Sequence, residues 1–586
     1  MQWFRHAAHG LVCLLVVTAA AQVAQAARDD QPASPLRLMP DKADVVFEIH
    51  QPRQLIEAVT NLDAIKQLQE LGVSKELLNS TRLRRFYQLV AYFEKELGAK
   101  WPELLDRLAG NGAALGVKFG PDPAPALLVI QGKDEKLMER FVKLSTELLE
   151  QEIARQEAPD KLVKEKYEEI ETYHVGKGLH AARVGAALLI SSNADTLKLG
   201  LDLARGTNKG SLAAVSAVVD AHKLLPKGPL ASFWLNMEPV RATPQGKEFY
   251  KTPRDLNLTI LAGSLIDVLS RTPYVAGGVY KEKDGFLVAV RVPKGREGMG
   301  PDAALHLAPE GEPGSRPILE PRGVILSESF YLNVSRFWED RDKFLGEKQA
   351  QDFEKFDKQS APFLSGIKVS KLLQDAGAYH RIVVVNQPKV GYKTKPKVAI
   401  PAFAVVTEMR DPDAFSKSVS TVLRGAALLF STTQTKMTVV EEKHGDVEIV
   451  GYRFPDGAAF KQDVNDVRYN FSPCFARVGN QFLVASTLEL GHELVDLLQK
   501  EAGGANKGQP SVENQRIFAS GVAELLQAFE EPFLTQMILD QALAPDDAKA
   551  QLRDFMAILR RLGDLTTKAE YQKNEFHYDL RIRTSK

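Results

Sequence analysis

Two arginines, Arg183 and Arg477, stand in matching positions inside otherwise apolar segments, Ala182-Arg183-Val184-Gly185 and Ala476-Arg477-Val478-Gly479. A planar guanidinium in such a place can grip a carboxylate or a phosphate by paired hydrogen bonds, so both residues are candidate ligand-binding side chains. Equally, each can pair with an acid of its own fold or point to water from an alternating strand. His174 and His180 fall in adjacent apparent strands with Glu169 and Glu171 nearby, a spacing that would let two imidazoles meet across a hairpin. Imidazole and carboxylate together are a metal-ligand set. The other half of the chain has no equivalent pair, so the fold does not depend on a metal there, and solvent-facing strand residues are the plainer account.

Other chemistries lack their signatures. A serine nucleophile on a strained elbow needs Gly-x-Ser-x-Gly, which does not occur. The Gly-rich stretch Gly503-Gly504-Ala505-Asn506-Lys507-Gly508 has the wrong order for a phosphate-cradling loop and reads as a surface loop. Gly491-His492-Glu493 lacks the second histidine of a zincin helix. The acid pairs Asp411/Asp413 and Asp546/Asp547 sit where helices begin, where negative charge meets the positive end of the helix dipole. No catalytic residue, metal ligand or cofactor is assigned.

The elements that would position the arginines recur in one order. Asp44 to Ile49 matches Ser329 to Val334 as an opening strand. Pro125 to Ile130, followed by a helix with Leu137, Phe141, Leu144 and Leu148 on one face, matches Pro401 to Val406, followed by Phe415, Val419, Val422 and Ala426. The arginine-bearing segments run into helical patterns at Asp195 to Ala204 and Glu489 to Leu498. Each half closes on a hairpin, around Asp284-Gly285 and around Lys573-Asn574, residues suited to tight turns. Five matches in one order imply a module written twice, at 37–292 and 324–583. The stretch 293–323, rich in Gly and Pro, reads as the linker, since such a segment neither propagates a helix nor joins a central strand.

Hairpins joined by amphipathic helices, without regular strand and helix alternation, predict an α+β fold of mostly antiparallel sheet. The long helices are expected at Arg82 to Leu97, Glu135 to Ala154, Pro412 to Phe430 and Ala548 to Leu562, with Asp411 as a cap before Pro412. In the first of these, Leu83, Phe86, Tyr87, Val90, Phe93 and Leu97 form a core-facing stripe beside a basic side. Late in the second copy the pattern departs from the first: Ala231 to Leu235 reads as a strand, whereas Phe518 to Leu543 reads as helical.

Residues 1–27 have the three parts of a cleavable export signal: Arg5, an apolar run from Leu11 to Ala21, and small residues at Ala24 and Ala26. The apolar run is about half of the roughly 20 residues of a membrane-spanning helix, and Val12 and the position of Cys13 argue against a lipoprotein. Removing this segment takes away Arg5 and no acid, leaving 74 basic and 75 acidic residues. That balance favours neither nucleic acid nor an anionic membrane. It also leaves Cys474 as the one thiol, so no internal disulfide is expected and stability must come from packing. With 44% hydrophobic residues there is material for more than one core.

With the leader, the openings Leu38-Met39-Pro40-Asp41-Lys42-Ala43-Asp44-Val45-Val46 and Gly323-Val324-Ile325-Leu326, and the paired Arg-Val-Gly segments, the chain resembles a tandem-repeat family of exported bacterial proteins known only as a domain of unknown function. The resemblance covers nearly all of 37–583 and implies a repetitive, exported protein. It carries no site residues with it. The expectation is a soluble two-module protein, periplasmic or secreted, that binds a protein or small-molecule partner in the envelope or serves as a scaffold, with no membrane span after cleavage. Alternatives are a hydrolase with an unfamiliar site and a carrier of an apolar ligand.

Overall fold

The computed structural model describes residues 34–61, 81–120, 124–156, 159–251, 256–300, 305–386, 391–433, 437–457, 463, 465–503 and 508–584. The leader and the middle of the Gly503 to Gly508 stretch lie outside the described residues. Two compact units result: the first runs to Gly246 and resumes over Thr272–Pro293, and the second holds Lys247–Arg271 and Lys294–Lys586. The Gly- and Pro-rich stretch packs into the second unit, where Leu305, Ala308 and Leu319 are buried. The fold is α+β, with antiparallel sheet throughout the described strands.

Ten strands build the sheet of the first unit: β1 (Val45–Ile49), β2 (Ala113–Val117), β3 (Ala126–Gln131), β4 (Leu162–Tyr167), β5 (Ile170–Val175), β6 (Leu179–Val184), β7 (Ala187–Ser191), β8 (Ala231–Asn236), β9 (Tyr274–Glu282) and β10 (Gly285–Val292). They pair in the order β4-β5-β6-β7-β3-β2-β1-β8-β9-β10. The second unit has β11 (Val324–Tyr331), β12 (Ala376–Val385), β13 (Ala402–Met409), β14 (Thr438–His444), β15 (Val447–Arg453), β16 (Cys474–Val478), β17 (Gln481–Ala485), β18 (Glu513–Phe518), β19 (Leu562–Tyr571) and β20 (Phe576–Thr584). Their order is β14-β15-β16-β17-β13-β12-β11-β18-β19-β20, the same path taken ten strands later.

Each sheet centre is apolar on both sides because helices cover both sides. β7 reads Ala-Leu-Leu-Ile-Ser and every residue is buried. Its Leu189 packs with Leu197 and Leu201 of the helix Ala194–Arg205, while Leu188 and Ile190 meet Met138 and Val142 of the helix Glu135–Arg155. In the second unit Leu488, Leu494, Val495 and Leu498 of the helix Leu488–Ala502 fill one side of β13, β16 and β17. Phe415, Val419 and Leu423 of the helix Pro412–Thr433 fill the other. Each fully buried leucine contributes about 1.5–3 kcal/mol, so a charge at Leu494 would cost the second unit its core. The helix starts are capped in the same way: Asp134 accepts from the Leu137 amide (2.9 Å) and Asp411 from the Ala414 amide (3.0 Å).

Four sequence readings are corrected. The opening strand of the second unit is Val324–Tyr331, and Val334 already begins the helix Val334–Glu339, capped by Asn333. The apparent late divergence is a missed strand: β18, Glu-Asn-Gln-Arg-Ile-Phe, takes the place of β8 before the helix Ala519–Ala528 begins. It is too polar to show an alternating signature. The last long helix is Pro545–Leu559, and Leu562 belongs to β19. In the helix Thr81–Leu97, Leu97 is buried but Tyr87 is 54% exposed, so the apolar stripe is narrower than its spacing implies.

Candidate functional site

Arg183 lies on β6 and Arg477 on β16, each two residues before a hairpin turn. Val184 pairs with Ala187 and Val478 with Gln481, so each turn has two central residues. Gly185 and Gly479 take the first of these positions at φ +55° and +61°, where a side chain would be strained. Each arginine then closes its own turn. Arg183 donates to the Gly185 carbonyl (3.0 Å) and to Glu135 (3.4 Å), in the first turn of the helix Glu135–Arg155. Arg477 donates to the Gly479 carbonyl (3.1 Å) and to Asp413 (2.5 Å), in the first turn of the helix Pro412–Thr433. Both guanidinium groups thus tie a turn to a helix start in the same way in each unit.

His174 and His180 face each other across β5 and β6, their rings stacked at 5.7 Å. His174 is 3.6 Å from Glu165, Glu171 accepts instead from the Tyr173 hydroxyl (2.8 Å), and His180 approaches the Lys177 carbonyl (3.2 Å). The second unit has a stacked pair too, but from other elements, so it is not the equivalent of His174 and His180. His444 on β14 and His492 on the helix Leu488–Ala502 lie 4.8 Å apart, His444 bonded to Asp496 (2.7 Å) and His492 to Glu442 (2.5 Å). Among the described residues no group of three or more His, Cys, Asp or Glu side chains is placed to hold a metal ion. Cys474 is buried with its Sγ 3.4 Å from the Thr487 carbonyl oxygen, and burial pushes the thiol up to about 12.

The polar chemistry that sequence reasoning did not find lies along one row of cross-strand neighbours. In the first unit the row runs Ala182, Leu189, Val129, Ala114, Glu48, Ser232, Gly278, Ala289. In the second it runs Ala476, Leu483, Val406, Arg381, Ser329, Asn514, Lys568, Asp579. Directly opposed residues point to the same side of an antiparallel sheet, so each row lies on one side, and the matched Ala182 and Ala476 fix the correspondence. The first three positions are apolar in both units. From the fourth onward the two rows differ.

In the first unit Glu48 is 5% exposed and holds a small network. Its Oε1 accepts from His222 Nε2 (2.7 Å), on the helix Ser216–Leu224, and lies 3.4 Å from Ser232 Oγ. Ser232 Oγ is in turn 2.7 Å from His50 Nε2. A serine hydroxyl has one proton to give and an ionised carboxylate can only accept. With that proton on the Glu48 side, His50 must be the Nε2–H tautomer and donate to Ser232. Burial holds His50 below the ordinary histidine range, while the hydrogen bond to Glu48 carries His222 above it. In that arrangement a neutral donor, a hydroxyl, a carboxylate and a favoured imidazolium form one chain. Beside His50 is a cavity of about 50 Å³ that Arg53, Asp106 and Lys133 also line. Burial there pushes Asp106 up to about 6 despite Arg53 at 3.1 Å.

In the second unit the corresponding charge has moved one strand over and changed sign. Arg381 is 2% exposed and donates to Glu501 (2.7 Å), to the Pro317 carbonyl (3.1 Å) and to the Gln481 amide oxygen. Ser329 Oγ and Asn514 Oδ1 are buried and have no partner among the described residues. Asn514 Nδ2 and Lys568 Nζ both donate to Gln509 Oε1, each at 3.2 Å. A cavity of about 160 Å³ adjoins this end of the row, lined by Gln509, Pro510, Ser511, Lys568, Glu570, His577 and Asp579.

No protein-family model and no curated protein sequence matches the chain. Among solved structures, crystal form I of TP0453 aligns at a TM-score of 0.23 with 10% identity, over 46% of this chain and 81% of that one. Crystal form III of TP0453 aligns at 0.24 with 9% identity, over 45% and 81%. At such TM-scores the likeness implies no shared fold.

Proposed function

We propose that the chain is an exported two-module binding or scaffold protein of the cell envelope, periplasmic or secreted, without a catalytic role. On this reading it belongs with the tandem-repeat family of exported bacterial proteins it resembles in sequence. The leader features of residues 1–27 support export. Equal strand order in the two units, with Arg183 and Arg477 closing equivalent turns, supports duplication of one module. Among the described residues no helix is long and apolar enough to cross a membrane, in keeping with a protein not anchored by one.

The observation that carries the non-catalytic reading is the placement of the carboxylate: Glu48 bonds His222 (2.7 Å) and lies 3.4 Å from Ser232 Oγ. A nucleophilic serine must give its proton to a histidine that a carboxylate orients. Here the Glu48 carboxylate lies on the far side of the serine from His50, an arrangement in which an Nε2-protonated His50 donates to Ser232 instead of taking its proton. The same three residue types are what a hydrolase reading would use, so one experiment separates the two. Purified protein screened against ester, amide, phosphoester and glycoside substrates is expected to show no turnover that Ser232→Ala removes. Turnover abolished by Ser232→Ala would establish the hydrolase instead.

A further inference from the structure

The 160 Å³ cavity of the second unit has walls of both charges. In sheet register Lys568 on β19 lies opposite Asp579 on β20, and Glu570 opposite His577, so strand alternation turns all four side chains to one side. The segment Gln509–Ser511 closes that side. Lys568 Nζ has three protons to donate and bonds the neutral Gln509 oxygen, which leaves capacity for an anionic acceptor. Ser511 is 3% exposed and its hydroxyl has no partner among the described residues. A buried, unpaired hydroxyl is costly unless something completes it. On the acidic side Glu570 accepts from the neutral Gln572 amide (3.1 Å). The volume equals roughly five waters of liquid, too small for most drug-sized ligands and right for a molecule of a few heavy atoms.

We propose that this cavity binds a small zwitterion carrying a primary amine and a carboxylate, the carboxylate on Lys568 and Ser511 and the amine towards Glu570, since Asp579 already faces Arg581 (3.7 Å). A simple anion would meet the Glu570 carboxylate there, and a simple cation would meet Lys568. Only a molecule with both charges satisfies both walls. The corresponding row of the first unit carries no such charges, since it continues from Ser232 into Gly278 and Ala289. The inference stands on the cavity and is independent of export and of the absence of catalysis.

The test is isothermal titration of the full chain with glycine, sodium acetate and methylamine, run separately at one pH and ionic strength. Glycine is expected to saturate with a Kd of about 1 mM or tighter. Acetate and methylamine should each bind at least about tenfold more weakly, as loss of a charge-assisted contact requires. Lys568→Met should weaken glycine by at least about tenfold, and Ser511→Ala, a smaller change less able to disturb folding, should weaken it measurably with an unchanged circular dichroism spectrum. Acetate or methylamine binding as tightly as glycine would overturn the zwitterion. Glycine affinity unchanged in both variants, or no saturable glycine binding at about 10 mM, would overturn the site.

Discussion

The two units follow one strand path, yet at the same place in that path they handle charge in opposite ways. The first buries an anion, Glu48, and surrounds it with His222 and the hydroxyl of Ser232, so that its row is closed by side chains of the unit itself. The second buries a cation, Arg381, on the neighbouring strand, answers it with Glu501, and leaves Ser329 and Asn514 with unpartnered atoms beside Lys568. A duplicated scaffold fixes which positions face inward and which are neighbours, but the chemistry placed there is free to change so long as each buried charge has a partner. The first row is closed by its own side chains, whereas the second borders a cavity.

The largest effect is expected where the burial is deepest. Glu501→Ala leaves Arg381 as an uncompensated buried charge and should destabilise the second unit by about 3–5 kcal/mol, seen as a lower urea midpoint. Arg381→Met combined with Glu501→Leu should recover most of that loss, because an apolar pair removes the desolvation penalty together with the attraction. If the single and the double variants were equally damaged, the pair would not be the reason the row tolerates Arg381.

A smaller, pH-dependent effect is expected in the first unit. His222→Ala removes a hydrogen bond to a buried carboxylate and should cost about 2 kcal/mol in acid. The sign follows from the raised folded value of His222. Its contribution is fully present below the unfolded histidine range, near pH 6.5, and is lost as pH rises through the raised value. Wild type and variant should therefore differ more at pH 5.5 than at pH 9 in urea denaturation. A difference larger at alkaline pH would reverse the assignment of Glu48 as the partner.

The smallest effects should come from Arg183→Ala and Arg477→Ala. Each guanidinium sits in a half-exposed pair whose acid is largely in water, so each loss should be under about 1 kcal/mol. The two variants should behave alike, because the two closures are alike. A large loss for one and not the other would break the equivalence of the turns.

Much of the fold was legible in sequence because its signals are local. The Arg-Val-Gly repeat marks the same hairpin twice, and Asp411 before Pro412 marks a helix start. Glu-Asn-Gln-Arg-Ile-Phe was not legible as β18, since a strand lined by polar partners has no apolar alternation to display. The rows were out of reach for a different reason. Glu48 and Ser232 are separated by 184 positions, and Arg381 and Glu501 by 120, so nothing nearby in the chain hints that they meet. The arginines drew notice because their surroundings repeat, and repetition marks what the fold needs. The groups that differ between the units are the ones no internal comparison of sequence could pick out.

The claim that the first row is a closed structural network rests on the direction of one proton, and nitrogen-15 NMR of the His50 and His222 side chains measures it. At neutral pH the account predicts a neutral His50 protonated on Nε2, and a His222 that keeps its second proton to higher pH than an ordinary histidine. His50 protonated on Nδ1 with Nε2 bare towards Ser232 would contradict it, because the serine would then be donating to a base.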